Sequence, residues 1–193
     1  MRVISGSARG KKLVSLEGTN TRPTLDRVKE ALFNIIQFDI TGTNFLDLFA
    51  GSGAIGIEAI SRGANSVTFC DNSAEAIKVI KTNIANTRSS DRATVINKDY
   101  IQALKFLAEK NKKFDIIYID PPYKSEFANK AIEEIIKLNL LSKDGTIIVE
   151  TDDIKKEQAL QMKEIQIFDK RKYGRAILIF IRKEQKQWRF LHY

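Results

Sequence analysis

Asp47-Leu48-Phe49-Ala50-Gly51-Ser52-Gly53-Ala54-Ile55-Gly56 is the stretch whose reading decides the fold. An apolar run, Asn44 to Phe49, leads into three glycines within six residues, and a helical pattern starts near Ala54. Glycines at such a point let the backbone approach a ligand closely at a helix N-terminus. Asp71 ends the next apolar run roughly 20 residues on, where a carboxylate at a second strand end can hold a ribose diol. Read alone, the loop and Asp71 fit NAD. Asp47 separates the readings, because an NAD site wants an apolar run up to the first glycine. An acid inside that strand suits an amino-acid ammonium group, and S-adenosylmethionine carries its methionine end where NAD carries pyrophosphate.

Outward from this stretch, strand-like runs recur at Asn44 to Phe49, Ser66 to Asp71, Ala93 to Asn97, Phe114 to Asp120 and Thr146 to Glu150. Helical patterns that begin near Ala54, Ser73, Asp99 and Ser125 separate them. Continuous apolar runs such as Ile116-Ile117-Tyr118-Ile119 suit strands covered on both faces, so the expected fold is α/β with a mostly parallel sheet. Lys163 to Phe168 and Ala176 to Ile181 are joined through Lys172, Tyr173, Gly174 and Arg175, too short a gap for a crossover helix. They are expected to form a terminal antiparallel pair. Upstream, Thr24 is a good N-cap for a helix whose stripe is Leu25, Val28, Leu32, Ile35 and Ile36. Arg2 to Ser5 and Lys12 to Leu16 read as two strands around a basic turn, Gly6 to Gly10. The expected organisation is therefore a hairpin extension over residues 1–20 and one main domain over 21–193, ending in a basic and aromatic tail.

The 193 residues, 43% hydrophobic along the whole length, suffice for one substantial core. Lysine and arginine number 32 against 24 acids, and the resulting +8 favours a polyanionic partner. Cys70, the single cysteine, excludes an intrachain disulfide framework and a cysteine-based zinc site, and a reducing compartment is expected. The first residues have no apolar core of a signal peptide, and no segment approaches the length of a membrane span. A cytoplasmic protein without membrane contact is the expectation.

Asp120-Pro121-Pro122-Tyr123 ends the fourth core strand, on the carboxyl edge where open α/β folds place ligands. An exocyclic amine on a nucleic-acid base is a poor nucleophile because its lone pair is delocalised into the ring. A carboxylate and a backbone carbonyl that both accept from the amine can turn it toward a tetrahedral geometry and present the lone pair to an electrophilic methyl. Asp120 and the Pro121 carbonyl fit those roles, two prolines stiffen the turn, and Tyr123 can stack on an extruded base. Methylation of a pyrimidine ring carbon normally needs a cysteine nucleophile. Cys70 precedes Asp71 on the cofactor side, so carbon methylation is disfavoured. The only histidine, His192, lies in the tail, which argues against a histidine base.

Taken together, Asp47 to Gly56 and Asp120 to Tyr123 resemble the class I amino-methyltransferases that act on nucleic acids. Arg9-Gly10-Lys11-Lys12-Leu13, Arg22-Pro23-Thr24, Asp26-Arg27-Val28-Lys29-Glu30 and Leu32-Phe33-Asn34 narrow the resemblance to the RsmD-type 16S ribosomal RNA guanine-N2 methyltransferases. Glu58 to Ala64 and Tyr173-Gly174 fit as well, and the similarity spans roughly Val3 to Arg182. The resemblance implies a Rossmann-like, seven-stranded sheet with a reversed last strand, a β-hairpin extension, and methylation of one guanine in small-subunit ribosomal RNA. It implies a cofactor site of Asp47, Phe49, Gly51, Ser52, Gly53, Gly56, Asp71, Asn72, Asp99 and Tyr100, with Asp71 on the ribose and Asp99 on the adenine amine. Asp120, Pro121, Pro122 and Tyr123 would take the target guanine, and Arg22, Thr24 and Arg27 would border the active site or the RNA path. Arg9, Lys11 and Lys12, with Arg2 nearby, suit phosphate contacts, and Lys170, Arg171, Lys172 and Arg175 could extend that patch. The expected cofactor is S-adenosylmethionine, leaving as S-adenosylhomocysteine, with no metal. The expected partner of a monomeric enzyme is 16S ribosomal RNA, free or within an assembled small subunit. Cys70 stands where the family often has an aliphatic residue, and Gln187 to Tyr193 match no recognised pattern.

Three other readings compete. A methyltransferase acting on adenine or cytosine amines, in DNA or other RNA, shares the Asp-Pro-Pro-Tyr chemistry, although no target-recognition domain is evident. An NAD-linked oxidoreductase explains the glycines but neither Asp47 nor the prolines. A nonenzymatic RNA-binding protein on the same fold would have lost cofactor contacts that look intact here.

Overall fold

A computed structural model of the chain describes residues 1–16, 23–122, 127–152 and 163–184, and for residues 23–25 the backbone alone. Arg22, Tyr123, the Thr24 side chain, the helix start expected at Ser125 and the tail from Gln187 to Tyr193 lie outside the described residues.

The elements run α1 (Pro23–Ile35), β1 (Asn44–Asp47), α2 (Ala54–Ser61), β2 (Ser66–Asp71), α3 (Ala74–Thr87), β3 (Ala93–Asn97), α4 (Tyr100–Glu109), β4 (Phe114–Ile119), α5 (Phe127–Lys137), β5 (Leu141–Thr151), β6 (Ile165–Tyr173) and β7 (Ala176–Lys183). The strands form one seven-stranded sheet in the order β3-β2-β1-β4-β5-β7-β6. All pairs from β3 to β5 are parallel, and β7 runs antiparallel to both β5 and β6.

The continuous apolar runs explain the layering. Along β4, Ile116 and Tyr118 pack into the core shared with α1, α2 and α3, while Ile117 and Ile119 pack into the core shared with α4 and α5. A strand buried on both faces cannot alternate with polar residues, which is why β4 reads as unbroken hydrophobicity. The chain winds outward from β1 to β3, then returns to place β4 on the other side of β1. This reversal opens a crevice at the carboxyl ends of β1 and β4, where open α/β sheets bind ligands. Asp47 and Asp120 stand at those two ends.

Several boundaries differ from expectation. β5 begins at Leu141 rather than Thr146, and β6 runs on to Tyr173 through residues charged on both sides. A period of two is lost at such an edge strand because neither face is fully covered, yet the backbone groups of β7 still require partners. At the N-terminus the two expected strands reduce to a single antiparallel bridge between Arg2 and Lys12. Beside that bridge the Val3 amide donates to Lys11 and the Leu13 amide to Met1, while the Ile4 and Ser5 amides donate to the Glu58 carboxylate at 2.8 and 2.9 Å and the Val14 amide to Asn83 at 2.7 Å. Val3, Ala8 and Leu13 are buried in the core of the main sheet, so residues 1–16 form a strap laid over α2 and α3. Among the described residues, no helix is long and apolar enough to cross a membrane.

Candidate active site

The glycine loop turns the chain from β1 into α2. Gly53 holds φ at 76°, a left-handed conformation that glycine adopts without strain. Gly56 lets α2 lie against β2, since a Cβ there would stand 2.2 Å from the Phe69 ring. Asp47 sits beneath this loop, 1% exposed, and accepts a hydrogen bond from the Gly56 amide at 3.0 Å. Burial pushes its pKa up to about 7, against the lowering by the Gly56 bond, and the neighbouring Asp71 charge adds to the rise. A cation placed beside this carboxylate would favour its ionised form.

Asp71, at the end of β2, has one oxygen bound by the Gly51 amide and the other by the Ser73 amide, both at 2.9 Å. The acid is thereby fixed in orientation, and each oxygen keeps acceptor capacity for a diol. Ser73 caps α3 and Asp99 caps α4, the latter accepting from Ile101 at 2.9 Å. Asn72 and Asp99 are exposed beside them. Phe49, Tyr100 and Phe127 form a chain of tilted rings with successive centroids 5.3 Å apart, joining the end of β1 to the starts of α4 and α5. These groups fit S-adenosylmethionine: a buried acid for the ammonium, an oriented acid for the ribose, aromatic rings for the adenine, and a glycine turn between them.

Asp120 follows β4, with Pro121 half-buried and Pro122 exposed. The Asp120 side chain is reached by solvent yet surrounded by protein, as in a concave site. That surrounding mass, then the charges of Glu150, Asp47 and Asp152, raise its pKa well above the usual carboxylate range. Two residues earlier on the same strand, the buried Tyr118 hydroxyl donates to Glu150 at the end of β5. Burial raises the pKa of Glu150, and the Tyr118 bond works against that rise. Tyr118 and Glu150, which sequence reasoning missed, lie beside Asp120, the Glu150 charge acting on it directly. The signal for Glu150 was present: it is an acid closing the apolar run Ile147-Ile148-Val149, the same anomaly that marks Asp47.

The basic residues lie elsewhere. Arg9, Lys11 and Lys12 are exposed on the strap, and Arg27 is exposed on α1. The strap's turn rests on the C-terminal end of α2, where Ser7 donates to the Ser61 carbonyl and Ala8 to the Ser61 hydroxyl, at 2.8 and 2.9 Å. The glycine loop is at the opposite end of α2, so the turn stands about 12 Å away, one length of this short helix. Glu58 is the anchor that sequence reading passed over as a role. Fully buried, it binds the strap's Ile4 and Ser5 amides, Arg62 at 2.8 Å and the Lys29 ammonium at 3.3 Å. Lys29 donates in turn to the Arg2 carbonyl at 2.6 Å.

A parallel sheet with this strand order and a reversed β7, an acid before the glycine loop and Asp-Pro-Pro after β4 define a class I methyltransferase. The family described as Conserved hypothetical protein 95 matches residues 1–182, and the chain belongs to it. The ribosomal RNA small subunit methyltransferase D of Haemophilus influenzae is 39% identical over 153 residues, 79% of each chain. YlbH of Bacillus subtilis is 42% identical over 152 residues, 79% of this chain and 83% of its own. The solved structure of yhhF from Escherichia coli superposes with a TM-score of 0.80 at 30% identity, covering 95% of this chain and 98% of that one. The RsmD-type resemblance and the Rossmann-like class I fold expected from the sequence are both borne out.

Proposed function

We propose that this protein transfers the methyl group of S-adenosylmethionine to the exocyclic N2 amine of a guanine in 16S ribosomal RNA. The observation that carries this reading is the adjacency of Asp47 and Asp120-Pro121-Pro122 at the ends of β1 and β4, Asp47 standing beside Tyr118, two residues before Asp120. The bound cofactor supplies an electrophilic methyl on a sulfonium, and everything else falls to the chain's own groups. Asp47 meets the ammonium, Asp71 the ribose hydroxyls, and Asp99 the adenine amine, with Phe49 and Tyr100 as ring walls. Gly51, Ser52, Gly53 and Gly56 let the loop come close, and Asn72 flanks the ribose acid.

Asp120 and the Pro121 carbonyl accept from the guanine amine and turn its lone pair toward the methyl, while Pro122 stiffens the turn and Tyr123 stacks on the flipped base. As the nitrogen–carbon bond forms and the sulfur–carbon bond breaks, the amine gives up one proton, which Asp120 accepts and passes to water. S-adenosylhomocysteine is the other product, and no metal takes part. Residues 1–20 act as the RNA-contacting extension of the catalytic domain 21–193, with Arg9, Lys11 and Lys12 on phosphates and Arg22, Thr24 and Arg27 along the RNA path. The enzyme acts as a monomer on this RNA, free or within an assembled small subunit.

The test is incubation with methyl-labelled S-adenosylmethionine and unmodified small ribosomal subunits, followed by nucleoside analysis. Label in N2-methylguanosine is expected; label in methylated adenosine or cytidine would overturn the guanine assignment. Asp120→Ala should cut turnover by more than about a hundredfold, the scale of losing one transition-state contact, with little change in S-adenosylhomocysteine affinity. Undiminished turnover in that variant would remove Asp120 from the mechanism.

A further inference from the structure

Asn83 lies on α3 and is fully buried. Its side chain makes three long-range hydrogen bonds. The oxygen accepts from the Val14 amide at 2.7 Å, and the nitrogen donates to the Val14 carbonyl at 2.9 Å and to the Ser52 carbonyl at 2.9 Å. Toward Val14 the amide does what a neighbouring strand's backbone would do, taking both the N–H and the C=O of one residue. Toward Ser52 it grips the middle of the glycine loop. Both amide hydrogens are used, so an aspartate would set a carboxylate oxygen against two carbonyls, and an aliphatic residue would take this partner from three part-buried backbone groups.

We propose that Asn83 is a positioning residue that couples the N-terminal strap to the cofactor loop, so that the state of the strap sets cofactor affinity. This inference rests on the cofactor reading above. The physical route is short. Glu58 and Ser61 hold the strap at the far end of α2, Lys29 holds it to α1, and Asn83 alone among these anchors also touches the loop. A shift of Val14 therefore releases or misplaces the amide that fixes Ser52. Because coupling of binding equilibria is reciprocal, a ligand that orders the loop also tightens the strap.

The experiment measures S-adenosylhomocysteine binding by calorimetry in wild-type protein, Asn83→Ala and Val14→Pro, with amide hydrogen exchange of residues 11–16 read with and without the ligand. Val14→Pro deletes the donor to Asn83 at a residue 45% exposed and leaves the loop sequence untouched. It should weaken binding by about fivefold or more, the lower end of typical site-to-site coupling, and Asn83→Ala should weaken it further. In wild-type protein the ligand should slow exchange across residues 11–16. With saturating cofactor, both variants should recover most of their turnover, because KM rather than kcat carries the defect. Wild-type affinity in a folded Val14→Pro, or strap exchange indifferent to the ligand, would overturn the coupling even if Asn83→Ala fails to fold. Absence of binding in the wild-type protein would instead overturn the cofactor reading itself.

Discussion

At the scale of single residues, a buried carboxylate that titrates near neutrality answers to both pH and a cation. Asp47 has its pKa raised to about 7 mainly by burial, whereas in the unfolded chain it ionises near 3.9, at about the ordinary aspartate value. Between those limits the folded protein holds a proton that the unfolded chain has released. The contribution of Asp47 to stability therefore falls as pH rises from about 4 to about 7 and is flat above that. Ligand binding has the opposite slope. An ammonium favours the carboxylate, so S-adenosylhomocysteine affinity should tighten as pH rises through about 7, with a proton released on binding below it. Asp47→Asn should lose that pH dependence together with roughly tenfold or more in affinity, the range expected for a buried charge-assisted contact. Calorimetry at several pH values checks this, and an unaltered slope in the variant would exclude Asp47 from the ammonium site. Asp47 and Asp120 are legible in the sequence because each places a charge where an apolar run should continue or close. Tyr118 is not, since tyrosine is an ordinary strand residue and only its hydroxyl's bond to Glu150 ties it to the acids at the strand ends. Asn83 is hidden for a similar reason: beside Ile80 and Ile84 on the buried side of α3, it passes as one polar break in a helical stripe.

At the scale of elements, the parallel strands and the helices between them are legible because each is buried in a way its residue pattern must reflect. The strap's own antiparallel contacts, Val3 to Lys11 and Leu13 to Met1, follow the expected turn, but its docking is not legible, because there its backbone pairs with side chains. Glu58 and Asn83 take amides that the strap leaves unpaired, and nothing in the local sequence of residues 2–16 announces a partner some fifty to seventy positions away. Two glycines in its turn show the difference that docking makes. Gly6 and Gly10 have nearly equal φ, 81° and 82°, but a Cβ at Gly6 would lie 1.8 Å from the Ser61 carbonyl oxygen, while one at Gly10 would meet nothing within 4 Å. Gly10→Ala should therefore cost only about 1–2 kcal/mol, the penalty of a left-handed alanine. Gly6→Ala should cost clearly more, because backbone must move as well, and thermal unfolding of the pair reads the difference. Equal melting temperatures would mean that the strap does not rest on α2. Glu58→Ala should be costlier still, about 3–5 kcal/mol, as it strands the buried Lys29 ammonium and two strap amides.

At the scale of the whole molecule, the charge is divided. The crevice between β1 and β4 gathers the carboxyl groups of Asp47, Asp120 and Glu150, each with its pKa raised by burial, while the strap's turn, with the exposed Arg9, stands a helix length from the glycine loop. On the proposed function, the net charge of +8 serves outside the chemical site, to hold a polyanion whose one extruded base would reach the crevice. Two ligands of opposite electrostatic character should then respond differently to salt. Cofactor binding involves a buried acid and should depend weakly on ionic strength, whereas RNA binding should weaken steeply, with log K falling by about 0.7 per contacted phosphate for each unit of log salt concentration on single-stranded RNA. Replacing Arg9, Lys11 and Lys12 together by glutamine should reduce the magnitude of that slope by about 2 if all three neutralise phosphates. Their side chains are exposed and the strap's anchors are backbone groups, so S-adenosylhomocysteine affinity measured without RNA should be unchanged in the same protein. A salt slope identical to wild type would place the RNA track away from the strap. Altered cofactor affinity in the absence of RNA would show that the substitutions had disturbed the strap itself rather than its contacts.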